Sequence, residues 1–223
     1  MPLFFRPLSL VAIVLSLCAT VVLLVGAPTV PWNSDHSQKP SSTAIAPGEK
    51  LKVAGVHNAG RISDALLRGA QPTAKGLAEL KKAGVTTIVN LRQEGLEVEH
   101  ERKLAESLGL RFLNIPVVGW SLPSDTQVAQ FLNLFREPAG PRVFVHCRYG
   151  DDRTGVMVAA YRIAQQHWTA DQAVREMHSF GFHYYLYPNM DSYVRKFPAH
   201  FASRPAFSLL RAVPAPEPET KQP

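Results

Sequence analysis

The stretch Val143 to Gly155, which reads Val-Phe-Val-His-Cys-Arg-Tyr-Gly-Asp-Asp-Arg-Thr-Gly, constrains this chain more than any other. Gly140 and Pro141 break the chain just ahead of it. Val143 to Val145 is a short apolar run of the kind a buried strand uses. Past Gly155 the spacing turns helical, with Val156, Ala159, Ala160 and Ile163 recurring on one face. Cys147 therefore falls where a strand ends and Thr154 where a helix begins, with the loop Arg148 to Asp152 between them.

A loop of that kind is an anion cradle. Its backbone N–H groups and the positive end of the following helix converge on one spot. A thiol placed there sees partial positive charge, gives up its proton readily and becomes a nucleophile. Arg153 adds a planar fork that can hold two phosphate oxygens at once. Gly150 permits a turn that a residue with a Cβ resists. The Thr154 hydroxyl is expected to donate to the Cys147 sulfur. No metal and no cofactor is expected, because the cradle and the arginine supply the positive charge.

His146-Cys147, five residues, then Arg153-Thr154-Gly155 resembles the signature of the cysteine-dependent protein tyrosine phosphatase superfamily, in its dual-specificity-like bacterial branch. The pattern is specific: a chance match in a chain of this length is on the order of one in ten thousand or less. Arg68-Gly69-Ala70-Gln71-Pro72 resembles the Arg-x-x-Gln-Pro found early in bacterial and fungal members. The resemblance implies Cys147 as the nucleophile, Arg153 and the amides of Arg148, Tyr149, Gly150, Asp151 and Asp152 as the phosphate cradle, and His146 as a loop support. It implies an acid on the segment after the strand Arg111 to Ile115, where Asp125 is the carboxylate, or else Asp152 inside the loop. Relatives with a lysine before that loop aspartate favour multiply phosphorylated substrates; here the position is Asp151. Arg68 is expected to tie a loop or pair with an acid. Arg92, at the end of the strand Val85 to Leu91, reads equally as a phosphate ligand or as a partner of Glu94 or Glu97.

Alternation of strands and helices predicts an α/β domain of three layers, a mostly parallel sheet flanked by helices. Predicted helices cover 74–83, 95–108, 126–135, 170–180 and 191–201. In the second, Leu96, Leu104 and Leu108 mark the apolar face, and the charges from Glu97 to Lys103 a solvated one.

Outside that domain, Leu8 to Ala27 is uncharged and follows Arg6, so it reads as a membrane anchor or a signal segment, with the catalytic domain outside the cytosol. Residues 28–50 read as a flexible linker, 51–203 as the phosphatase domain and 204–223 as a disordered tail. The net charge of +6 favours anionic partners, but no basic run or aromatic-basic interleaving points to nucleic acid. Phosphorylated proteins, inositol phosphates and lipid phosphates all stay open as substrates. A rhodanese-type sulfurtransferase and a non-catalytic phosphate-binding module are the readings from other classes. The Arg-Thr-Gly ending speaks against the first, and the intact thiol against the second.

Overall fold

The computed structural model describes residues 46–136 and 140–212. The expected anchor or signal segment, most of the linker, and the tail beyond Ala212 lie outside the described residues. Among the described residues no helix is long and apolar enough to cross a membrane.

The sheet has six strands: β1 (Glu49–Lys50), β2 (Gly60–Arg61), β3 (Leu66–Ala70), β4 (Thr87–Asn90), β5 (Arg111–Asn114) and β6 (Val143–Cys147). Their spatial order is β1-β2-β3-β6-β4-β5. β3, β6, β4 and β5 run parallel, while β1 and β2 fold back antiparallel on one edge. The expected mostly parallel three-layer fold is therefore present. β3, β4 and β6 are short and buried along their whole length, as strands covered on both faces are. Leu67, Ile88 and Phe144 point to one side and Leu66, Val89, Val143 and Val145 to the other, as the two-residue period requires.

Helices α1 (Ala74–Lys82) and α2 (Leu96–Ser107) follow β3 and β4, and their residues complete the Leu67, Ile88 and Phe144 core. Helices α3 (Asp125–Leu132), α4 (Asp152–Gln166), α5 (Ala170–Ser179) and α6 (Pro188–Ser203) supply residues to the larger core on the opposite face. Thr73 caps α1, and Ser124 and Thr169 form capping boxes at α3 and α5. After Leu132 the chain tightens into a 3₁₀ turn, Asn133–Phe135, where a continuous helix is expected.

Two expectations fail. The packed chain begins before residue 51: the Gly48 amide donates to Glu176 Oε2 at 2.6 Å, and β1 follows at once. Glu176 is itself buried and paired through both oxygens with the guanidinium of Arg162, so the opening of the domain is tied to α5. At the other end the chain does not become a tail at residue 204. A 3₁₀ turn, Pro205–Phe207, and α7 (Ser208–Arg211) continue it. Phe207 is fully buried against Phe197 and Phe201; one large aromatic outweighs the prolines and charges around it.

Candidate active site

β6 lies between β3 and β4, so Cys147 leaves the middle of the parallel sheet. It is buried, and it is the free cysteine of the described residues. The loop after it, Arg148 to Asp151, runs into α4, which begins at Asp152, two residues ahead of the expected Thr154. The Gly150 amide donates to Cys147 Sγ at 3.3 Å. Among the described residues, the amides of Arg148, Tyr149, Asp151, Asp152 and Arg153 donate to no protein acceptor. They are orphan donors gathered at a helix N-terminus, as an anion needs.

Gly150 has φ +81°, and a Cβ built on it would lie 2.4 Å from the carbonyl carbon of Gly69 and 2.5 Å from the Ala70 nitrogen. The loop therefore turns directly on the backbone of β3, as only glycine allows. Asn58 holds the same turn from the side. Its Nδ2 donates to Asp151 Oδ1 at 2.7 Å and to the Phe180 carbonyl at 2.8 Å.

Arg153 Nη1 donates to the carbonyls of Val117 at 3.1 Å and Leu91 at 3.4 Å. These sit at the carboxyl ends of the β5 and β4 segments, so one arm of the fork is fixed on the sheet. Its Nε and Nη2 have no protein partner among the described residues. Arg68 is fully buried beneath the loop, donates through Nη2 to the Gly150 carbonyl, and stacks over Phe180 at 4.3 Å. Burial pulls its guanidinium down to about 10, against the raising effect of the Cys147, Glu176 and Asp151 charges. Of the two roles expected for Arg68, it fills the loop-tying one.

His146 is buried, and its Nδ1 donates to the Cys147 carbonyl at 3.0 Å, as expected for a loop support. Its Nε2 lies 2.7 Å from Glu101 Oε1. Glu101 was missed in the sequence. It is buried on α2 with Val98 and Ala105, whereas Leu96 is 91% exposed and Leu108 is also exposed. The expected solvated face is thus the wrong face at this residue. Tracing the helix from Val98 at spacings of three and four would have put residue 101 inside.

The other expected site residues divide. Thr154 Oγ1 is buried without a hydrogen-bond partner, so the expected bond to Cys147 Sγ is not made; the earlier helix start carries Thr154 into the first turn. Arg92 makes the pairing expected of it with Glu97. It also donates to Gln71 Oε1. Asp152 accepts from the His183 amide at 2.9 Å and faces its ring at 3.2 Å. Asp125 sits on the first turn of α3, with Oδ2 3.9 Å from Arg204 Nε. Burial, and then the neighbouring Asp152 charge, push the Asp151 carboxyl above the usual aspartate range; Asn58, His183 and Arg68 oppose this. Arg148 and Tyr149 are exposed at the lip, with the guanidinium 5.4 Å from the ring centroid.

Two exposed aromatic segments follow residues that hold the loop. Val117, which holds Arg153, leads into Val118, Trp120 (76% exposed) and Leu122. His183, which holds Asp152, leads into Tyr184, Tyr185 (96% exposed) and Leu186. The Trp120 and Tyr187 rings meet at 6.0 Å between centroids.

A buried sulfur that accepts from a loop amide, at the end of the central strand and at the head of a loop that closes in a half-anchored arginine, is what a cysteine-dependent phosphatase is built from. A family model described as DSP-PTPase phosphatase fused to NAD+ kinase matches residues 48–185. The chain belongs to that family, within the cysteine-dependent protein tyrosine phosphatase superfamily. It is similar to the dual specificity protein phosphatase TpbA of Pseudomonas aeruginosa (strain UCBPP-PA14), at 29% identity over 178 residues that span 79% of this chain and 75% of the relative. The solved structure of P. aeruginosa TpbA matches at a TM-score of 0.58 and 27% identity, covering 73% of this chain and 100% of that one. A cysteine-to-serine form of TpbA has been solved in complex with phosphotyrosine, and matches at a TM-score of 0.57, 27% identity and coverage of 73% and 99%. A PP-IP phosphatase core from S. cerevisiae, at 17% identity and a TM-score of 0.57 over 66% of this chain and 88% of that one, shares the fold.

Proposed function

We propose that this phosphatase acts on phosphorylated protein, with phosphotyrosine as the preferred residue, and that Cys147 Sγ is the nucleophile that attacks phosphorus. The observation that carries this reading is the Gly150 amide on Cys147 Sγ at 3.3 Å, inside a ring of amides without protein acceptors. The preference for an aryl ester is supported by the exposed Trp120, Tyr149, Tyr184 and Tyr185 around the loop, which suit stacking on a flat ring. The relative solved with phosphotyrosine bound agrees with it. Acids at positions 151 and 152 disfavour substrates with clustered phosphates.

Chemistry runs in two steps. The Cys147 thiolate attacks phosphorus, the sulfur–phosphorus bond forms, and the phosphorus–oxygen bond to the leaving group breaks. Loop amides and the free arms of Arg153 hold the equatorial oxygens. Water then attacks the phosphocysteine, and the thiolate departs with inorganic phosphate released. We assign the proton donor to Asp152 rather than Asp125, because Asp152 adjoins Arg153 at the end of the loop, while Asp125 lies on α3 and leans toward Arg204. The same residue takes the proton back from water.

A phosphate-release panel tests the substrate. A phosphotyrosyl peptide is expected to exceed a phosphoseryl peptide, inositol hexakisphosphate and phosphatidylinositol phosphate vesicles in kcat/KM by about tenfold or more. Faster release from an inositol phosphate or a lipid overturns the protein preference. No release from any of them overturns the assignment of chemistry to this loop.

Leaving-group dependence tests the acid. Asp152→Asn is expected to slow an alkyl phosphate about a hundredfold and para-nitrophenyl phosphate by less than about tenfold, with Asp125→Asn near the parent on both. The opposite ranking of the two variants would move the role to Asp125.

A further inference from the structure

The leucines that the sequence marks as the apolar face of α2 do not face the core. Val98, Glu101 and Ala105 turn inward instead. Leu96 stands almost wholly in solvent, and Leu104 is only half-buried. With His100, four residues from each, they form one line along the helix, as its period requires. The phosphoryl-transfer scheme makes no use of that line.

The line borders an open groove of about 430 Å³ between α1 and α2. Pro72, Ala74 and Leu77 form the opposite wall. The sheet fixes where this groove lies. β3 and β4 run parallel to β6 on either side of it, so all three strands end at one edge of the sheet. α1 and α2 start from that edge, and the cradle opens there too. The join is direct: Gln71 lines the groove, and its amide donates to the Arg148 carbonyl of the cradle at 3.3 Å. A polypeptide whose phosphate sits in the cradle is therefore within reach of the groove. From Leu96 to Leu104 is about 12 Å along the helix, which an extended chain covers in about four residues.

The lining selects what fits. Among the described residues no Lys or Arg lines the groove, and its two carboxylates, Glu97 and Glu101, are already paired. A second phosphate or a lipid headgroup would meet negative charge there with no cation to receive it. The remaining surface is mostly apolar, with Pro72, Leu77, Leu96 and Leu104 contributing most of it.

We propose that this groove is a subsite for the polypeptide substrate, taking an apolar side chain that lies within about four residues of the phosphotyrosine. The inference rests on the reading that the substrate is a phosphorylated protein. Seating such a side chain removes Leu96 and Leu104 from water. The contact is far from phosphorus and is the same before and during the reaction, so its effect falls on KM rather than kcat.

Phosphotyrosyl peptides of glycine and serine, with a single leucine moved through the neighbouring positions on each side, test this. In the unaltered protein one position is expected to lower KM about tenfold against the leucine-free peptide, with kcat within about twofold. Leu96→Glu then puts a charge on the groove wall at a side chain exposed enough to leave packing intact. Each of its rates is divided by its own rate on para-nitrophenyl phosphate, which has no chain to reach the groove. In L96E the leucine preference is expected to shrink to about twofold or less. A preference that L96E keeps, or no preference at any position, overturns the proposal. Sedimentation of both proteins covers the remaining occupant: a dimer that L96E splits would give the groove to a second copy of this chain and overturn the proposal as well. Failure of the protein-substrate reading looks different: the unaltered protein would split para-nitrophenyl phosphate and leave every phosphotyrosyl peptide intact.

Discussion

Cys147→Ser is expected to lower turnover of para-nitrophenyl phosphate by about four orders of magnitude, to the background of hydrolysis without enzyme, while the protein stays folded. The substitution changes one buried atom at the end of the central strand. The loop amides, the Arg153 fork and the Arg68 tie are untouched, so phosphate binding survives. What is lost is ionisation: a serine hydroxyl remains protonated where a thiol does not, even under the same converging dipoles. Initial rates of phosphate release check the first part, and a thermal melt with and without vanadate or phosphate checks the second. Turnover retained within about tenfold would mean that another group forms the bond to phosphorus.

Gly150→Ala is expected to cost less activity than that, but more stability. At φ +81° an alanine is strained by its own backbone. Its methyl would in addition lie 2.4 to 2.6 Å from three backbone atoms of Gly69 and Ala70. Those atoms cannot retreat, since Gly69 and Ala70 are paired with His146 and Cys147 across β3 and β6. Strain and overpacking together are worth roughly 2–4 kcal/mol, which a urea midpoint would register. The loop would lift to relieve the clash, withdrawing the residue 150 amide from the sulfur and costing about a hundredfold or more in kcat. A variant with the parent's urea midpoint and rate would show that the turn does not need its glycine.

The cradle was legible because its constraints are local. Strand period, a glycine at the turn, helix period and the Cys147 to Arg153 spacing all lie within thirteen consecutive residues, Val143 to Gly155. The alternation of elements was legible for the same reason. What escaped depends on contacts between distant positions. Glu101 is inside because His146, Asn90 and Gln71 meet it, 45, 11 and 30 residues away; a run of charges on a helix gives no hint of that. Phe207 is inside because α6 and its aromatic residues wait for it, although the prolines around it suggest a loose end. Arg92 had two readings of equal standing, and only the placement of Gln71 beside Glu97 separated them. The Thr154 bond failed through a shift of two residues in where a helix starts, which is within the ordinary uncertainty of helix boundaries.

The position of β6 between two parallel neighbours has a consequence for how this protein can change over time. Its backbone is hydrogen-bonded on both edges, so amide exchange at Val145 should be among the slowest in the molecule and should require global opening. The exposed segments carrying Trp120 and Tyr185 share none of that protection. Mutations there can retune which ester is admitted while the machinery that breaks it stays locked in the least yielding part of the protein.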